Sequence, residues 1–303
     1  MRMMGLCILF VLSNGLHAAE VTAEIEACIR KNAPDATAIQ KVRLRSEGYM
    51  GEEKALSAKV YWKYLPTGTS NLLAVFDEPD DILGSRLLFL EKKSENEIYL
   101  YMPALFKVRR ITSDRFSASM YGMDFSYEDF QLFYNMLTTA VIEQRPDVEI
   151  DGKSMYAFSV TPTSGEASLY GEIISYFDKK SCVVRKVEFF ESNKELRKIL
   201  TTNPESIKEI NGKLVPHKFS MQDIKEDSVT ELKVLEVQVD PELDDALFDP
   251  AKLKEHRDIF LFKRCSTLSG DTFINLSPST AYSRSHTNYH SAGYFSDCKP
   301  TYR

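Results

Sequence analysis

The sequence predicts a mainly β protein built on one antiparallel sheet. Three observations lead there. About ten short runs alternate apolar and polar residues with the period of two that a strand requires. Turn-forming pairs, among them Asp151-Gly152 and Asn211-Gly212, separate those runs at hairpin spacing. Aromatic residues make up 11% of the 303-residue chain, with 15 Tyr and 18 Phe, which suits large pleated apolar surfaces.

The chain opens with a pattern that reads as a cleaved secretory signal over residues 1–19. Arg2 supplies a positive start and Met3–Leu12 an apolar run too short to span a bilayer. Ala18 or Ala19 supplies the small residue at the cleavage site. Cys7 lies inside the run without the small neighbours of a lipidation site. Glu20–Asn32 then reads as an amphipathic helix with Ile25, Cys28 and Ile29 on one stripe, ended by Asn32-Ala33-Pro34. It serves as a cover for one end of the sheet or as a mobile lid.

Strands follow at Ile39–Ser46, Ala55–Leu65 and Asn71–Phe76, the last after the turn Pro66-Thr67-Gly68. Val60, Trp62 and Tyr64 share one face of the second. Ile82–Leu90 and Ile98–Met102 flank a charged turn and form a hairpin, with Leu83, Leu87 and Phe89 on one face of its first strand. The hairpin leads into a basic knot of Lys107, Arg109 and Arg110. Ser126 followed by Asp129 is an imperfect capping box and starts a short helix to Tyr134. Asn135–Glu143 reads equally as helix or strand. Further strands are expected at Met155–Thr161, Leu169–Asp178, Val183–Glu191, Leu196–Leu200, Ser206–Ile210, Leu214–Gln222 and Glu231–Val239. Pro241–Leu253 closes the domain with Phe248 docked.

Three segments in order, "DILGSRLLFLE", "IYLYMPALFKVRRI" and "GMDFSYEDF", resemble the outer membrane lipoprotein-sorting family. The resemblance covers Glu20 to Leu253. It implies the LolA-like fold: a strongly curved antiparallel sheet, an unclosed β-barrel, lidded by helices around an apolar hollow. It implies no catalytic residues. The expected organisation is a signal over 1–19, a LolA-like domain over 20–254 and an appendage over 255–303.

Composition narrows the function further. A net charge of −6 and an isoelectric point near 5.6 argue against nucleic-acid binding. No nucleophile elbow, zinc-protease helix or phosphate-binding glycine loop is present in the sequence, and no cofactor or metal is expected. His217, beside Pro216 in a hairpin, reads as structural or solvent-facing. In the tail, His286 and His290 with Cys265 and Cys298 could outline a zinc site. An exported chain favours a Cys265–Cys298 disulfide instead. Cys28 and Cys182 either pair or stay buried thiols.

What remains is the binding of apolar cargo. The expected function is a periplasmic carrier for a lipid or lipoprotein acyl chain, acting as a monomer between an inner-membrane exporter and an outer-membrane acceptor. The alternative is an adaptor that binds a protein partner, such as an RND-type permease, without lipid. Alternation nominates Val60, Trp62, Tyr64, Leu83, Leu87, Phe89, Ile98, Leu100 and Met102 as lining residues. Lys107, Arg109 and Arg110 are either a headgroup or partner contact, or a charged strand edge that blocks sheet-to-sheet association.

Overall fold

The computed structural model describes residues 23–93, 96–134, 140–162 and 168–255. The signal segment, the Cys265–Cys298 pair and the tail histidines lie outside the described residues.

Among the described residues thirteen strands form one antiparallel sheet. Its strands are β1 (Thr37–Glu47), β2 (Glu53–Tyr64), β3 (Ser70–Glu78), β4 (Arg86–Leu90), β5 (Glu97–Met102), β6 (Lys107–Ile111), β7 (Ala140–Ile150), β8 (Lys153–Pro162), β9 (Tyr170–Asp178), β10 (Val184–Glu191), β11 (Leu196–Thr202), β14 (Lys218–Asp223) and β15 (Ser228–Val239). A separate hairpin joins β12 (Ile207–Ile210) to β13 (Lys213–Pro216). The order across the large sheet is β6-β5-β4-β3-β2-β1-β15-β14-β11-β10-β9-β8-β7. The sheet curves without closing, so β6 and β7, consecutive in the chain, are its two outer edges.

Local chemistry explains most of the elements. Asp151-Gly152 and Asn211-Gly212 both take positive φ at both positions, 52° and 71° then 51° and 77°, the conformation a two-residue hairpin turn needs. The capping box forms despite its acid: the Ser126 amide donates to Asp129 Oδ2 at 2.8 Å and the Asp129 amide to Ser126 Oγ at 3.1 Å. Helix α2 (Tyr127–Phe133) starts there. Helix α1 (Ala23–Lys31) is tied down by a Cys28–Cys182 disulfide, so these two cysteines pair.

Several boundaries differ from the sequence expectation. The strand expected over Ile82–Leu90 is only β4. A single 3-10 turn, Asp80–Ile82, and Gly84 at φ +75° break the chain direction before it, and Leu83 is 52% exposed on that turn. The strand expected over Leu214–Gln222 is two. Pro216 has no amide to continue the ladder, and the His217 amide turns to the Ser206 carbonyl at 3.1 Å. His217 itself is buried, its Nδ1 2.9 Å from the Val215 carbonyl. β6 matches the charged-strand-edge alternative for Lys107, Arg109 and Arg110, and β7 begins at Ala140 inside the stretch that reads equally as helix or strand, then runs on to Ile150.

The two faces of the sheet bury different layers. On the concave face Val42, Leu44, Leu56, Val60, Leu72, Leu87, Phe189, Leu200 and Leu232 belong to one continuous core. On the convex face Tyr61, Leu73, Val75 and Leu88 are buried as well. The closing segment covers them: Arg86 Nη1 donates to the Leu253 carbonyl at 2.8 Å, Lys63 pairs with Asp245, and Phe248 and Leu253 are buried. Burial on both faces makes these strands read as near-continuous apolar runs.

Candidate functional site

The site is the concave face and the segment that covers it. Because β6 and β7 are opposite edges, the chain between them must cross the open seam of the sheet. Residues 112–134 of that crossover, ending in α2, form a lid. Met120, Met123, Phe125 and Phe130 project from it into the same core as Val60, Leu87, Phe89 and Ile98. Ring contacts fasten it further: Tyr121 meets Phe76 edge-on at 5.0 Å and Phe133 meets Phe219 at 5.0 Å. The hollow of the sheet is therefore filled by the lid's own side chains.

Polar contacts pin the lid to strands on both sides of the seam. Asn96 Nδ2, just before β5, donates to Gln131 Oε1 at 2.6 Å. From β9, the Tyr170 hydroxyl donates to Asp129 Oδ1 at 2.7 Å. From β11, Lys198 Nζ donates to Asp129 Oδ2 at 2.9 Å and to the Asp124 carbonyl at 2.7 Å. From β15, Thr230 Oγ1 donates to Asp124 Oδ2 at 2.7 Å, and Ser228 holds the other carboxylate oxygen. Tyr134 donates to Gln40 on β1 at 3.0 Å. Burial and the neighbouring Asp129 carboxylate hold the Tyr170 hydroxyl well above its ordinary pKa, so it remains a donor.

The lining candidates separate by position. Val60, Leu87, Phe89 and Ile98 are 0–2% exposed beneath the lid. Trp62 and Leu100 are partly buried against that core. Met102 is half-buried at the strand end, and Tyr64, stacked on Trp62 at 6.3 Å, is 41% exposed. Leu83 lies off the sheet altogether, because Gly84 turns the chain before β4 begins. The register of β5 and β6 pairs Leu100 with Arg109 and Met102 with Lys107, so those two cations share the face of the liners. Arg110 pairs across with Tyr99 and points to the other face, 3.7 Å from Glu97.

A cleft of about 570 Å³ opens beside the lid, between the β1–β2 turn and residues 117–124. The exposed Tyr49 and Met50 and the buried Asp124 and Lys198 are among its lining residues, with Glu52, Asp223 and Glu226 as further acids on its wall. A second cleft, about 480 Å³, is lined by Thr201, Pro204, Lys218, Phe219 and Glu231.

Sequence reasoning passed over Lys198, Tyr170, Asp124 and Thr230. One signal was available for Lys198. It occupies the same alternation position as Leu196 and Leu200, where a charge on a buried face is out of place.

A family model described as "Uncharacterized protein" matches residues 68–255, more than half of the chain. No curated protein matches. Among solved structures, a DUF1329 family protein from Desulfovibrio piger is 22% identical, with a TM-score of 0.69 over 76% of this chain and 98% of its own. An outer membrane lipoprotein-sorting protein domain from Vibrio parahaemolyticus is 22% identical at 0.69, over 76% and 97%. A LolA superfamily protein from Nitrosomonas europaea is 18% identical at 0.60, over 76% and 98%. At these identities the likeness is one of fold.

Proposed function

The chain belongs to the LolA-like family of DUF1329 proteins, and from that premise we propose that it is a non-catalytic periplasmic carrier for the acyl part of a lipid or lipoprotein. In this reading residues 20–254 form the carrier domain. It receives cargo from an inner-membrane exporter and delivers it toward an outer-membrane acceptor, as a monomer.

A hollow filled by the protein's own side chains counts by itself for an adaptor, and the carrier reading is supported only because the filling comes from one segment. The segment that closes the seam is separate from the sheet and plugs the hollow with apolar side chains, Met120, Met123, Phe125 and Phe130. Binding is then an exchange, in which cargo methylenes replace lid side chains against the same floor. Each buried methylene contributes roughly 0.8 kcal/mol, so a chain of about sixteen carbons gains on the order of 10 kcal/mol before ordering costs. Displacing the lid offsets much of that. A small net gain is what a carrier needs, since cargo held at the full value would leave too slowly.

Organic extraction of the purified protein followed by mass spectrometry tests this. The expected result is copurifying lipid in near-stoichiometric amount, with uptake of a fluorescent fatty acid after delipidation. Clean protein that also takes up no fatty acid would remove the carrier reading.

A second reading, an adaptor for a protein partner such as an RND-type permease, draws support from one corner. Leu83, Leu105 and Phe106 are 52, 49 and 69% exposed, next to Lys107, Arg109 and Arg110 on the edge strand β6. The Cβ position of Gly84 is 3.4 Å from Pro103, which brings the two turns together. Pull-down of one membrane protein, lost on L105E/F106E and independent of lipid, would favour this reading.

A further inference from the structure

The lid and the sheet contribute to the Asp129 contact unequally. The donors, Lys198 Nζ and the Tyr170 hydroxyl, are both carried by the sheet, on β11 and β9. The acceptor carboxylate is carried by the lid. Lys198 is 5% exposed and Tyr170 3%, so the donors sit on the floor of the hollow rather than at its surface. The register sets Lys198 beside Leu200 on its own strand, both facing the core, and two steps across from the buried Ile173 by way of Phe189. Among the described residues the hydrogen bonds made by Lys198 go to the lid, to Asp124 and Asp129, while the Tyr170 ring lies 6.0 Å away and Asp223 is its partner across the strands.

A lid that swings away takes both acceptors with it. The ammonium then loses its carboxylate partner, since the nearest acid on that face, its cross-strand neighbour Asp223, is already engaged by Arg197 at 2.9 Å, and breaking a buried pair by removing one partner is strongly unfavourable. Opening becomes favourable when another anion arrives where Asp129 was. The cleft of about 570 Å³ reaches Lys198 and Asp124, and its wall carries the cations Lys54 and Arg197 as well as the acids Glu52, Asp223 and Glu226.

Resting on the carrier reading, we infer that Lys198 and Tyr170 are the anion-binding end of the hollow, and that the cargo is an amphiphile whose carboxylate or phosphate takes the place of the Asp129 carboxylate. The headgroup accepts from Lys198 and Tyr170, and the chain lies where Met123, Phe125 and Phe130 now pack. A neutral acyl chain can displace the apolar plug but leaves the ammonium unpaired. The site therefore selects charged amphiphiles over neutral ones of equal chain length.

The test compares uptake of pyrene-labelled phosphatidic acid with a matched pyrene-labelled diacylglycerol by the delipidated full chain. Wild type is expected to take up phosphatidic acid about tenfold more tightly or better, the scale of one charge-assisted pair. Lys198→Met should bring the two affinities together, Lys198→Arg should keep them apart, and Tyr170→Phe should narrow the gap. Should Lys198→Met fail to fold, the wild-type ratio and Tyr170→Phe decide. A wild-type ratio near one, or a ratio that survives in folded Lys198→Met, overturns the inference while the carrier reading stands. Displacement of the label by millimolar inorganic phosphate alone would make this a free-anion site and also overturn it. Uptake of neither probe removes the inference and the carrier reading together.

Discussion

Asp129 Oδ2 stands 2.9 Å from Lys198 Nζ, with both residues buried, so one ion pair joins the lid of this protein to the floor of its sheet. Removing either partner leaves the other charged and uncompensated. Asp129→Ala and Lys198→Ala are each expected to cost about 3–5 kcal/mol in urea unfolding. The Asp129→Ala/Lys198→Ala double variant should cost clearly less than the sum of the two. Additive losses would mean that the residues do not act as a pair.

The disulfide from α1 to the β9–β10 turn closes a loop 154 residues apart in sequence. On the chain-entropy model such a loop contributes about 5 kcal/mol. Cys28→Ser/Cys182→Ser, or reduction of the native protein, should lower the melting temperature by ten degrees or more. A shift of one or two degrees would show that α1 is held by packing alone.

Leu83 and Leu87 are four residues apart and should respond oppositely. Leu87 is 1% exposed beneath the lid, whereas Leu83 is 52% exposed on its turn. Leu83→Glu should change stability by less than about 0.5 kcal/mol. Leu87→Ala should cost about 2–5 kcal/mol, and Leu87→Glu should prevent folding rather than block uptake selectively. Circular dichroism and urea titration separate these outcomes.

Alkaline pH should weaken the fold. Burial raises the hydroxyls of Tyr61 and Tyr121 to about 12 and pushes those of Tyr134 and Tyr170 up as well. An unfolded tyrosine ionises near pH 10. Below that the neutral forms contribute fully. As pH rises from about 10 toward the folded values, the unfolded chain releases protons that the folded one keeps, and stability falls. Urea midpoints should be level to about pH 9.5 and then decline, less steeply for Tyr170→Phe. A level profile to pH 11.5 would contradict the burial of these hydroxyls.

Much of the fold was legible because its causes are local. The β4–β5 hairpin followed from two apolar runs around a charged turn, and its register pairs Phe89 with Ile98. Asp151-Gly152, Asn211-Gly212 and the Ser126 cap each act within four residues. The end of Leu83's supposed strand was not legible, since alternation continues through Gly84 while the backbone turns there. The basic knot was legible as charge but not as geometry. Only the pairing with β5 splits it, Lys107 and Arg109 to one face and Arg110 to the other.

The class of fold, the hairpin turns and the helix cap are written in short stretches of residues, because alternation and turn chemistry depend on neighbours in the chain. The sequence also carried the family resemblance. The tertiary structure decided what long sequence separations decide: that β6 and β7 end up as opposite edges with the lid across the seam, that Cys28 meets Cys182, and that Lys198 faces a carboxylate 69 residues away. It also decided that Val60, Leu87, Phe89 and Ile98 pack beneath the lid in a filled core, while Leu83 and Tyr64 do not. A pleat sets which face a side chain takes, whereas what lies against that face depends on where the rest of the chain returns.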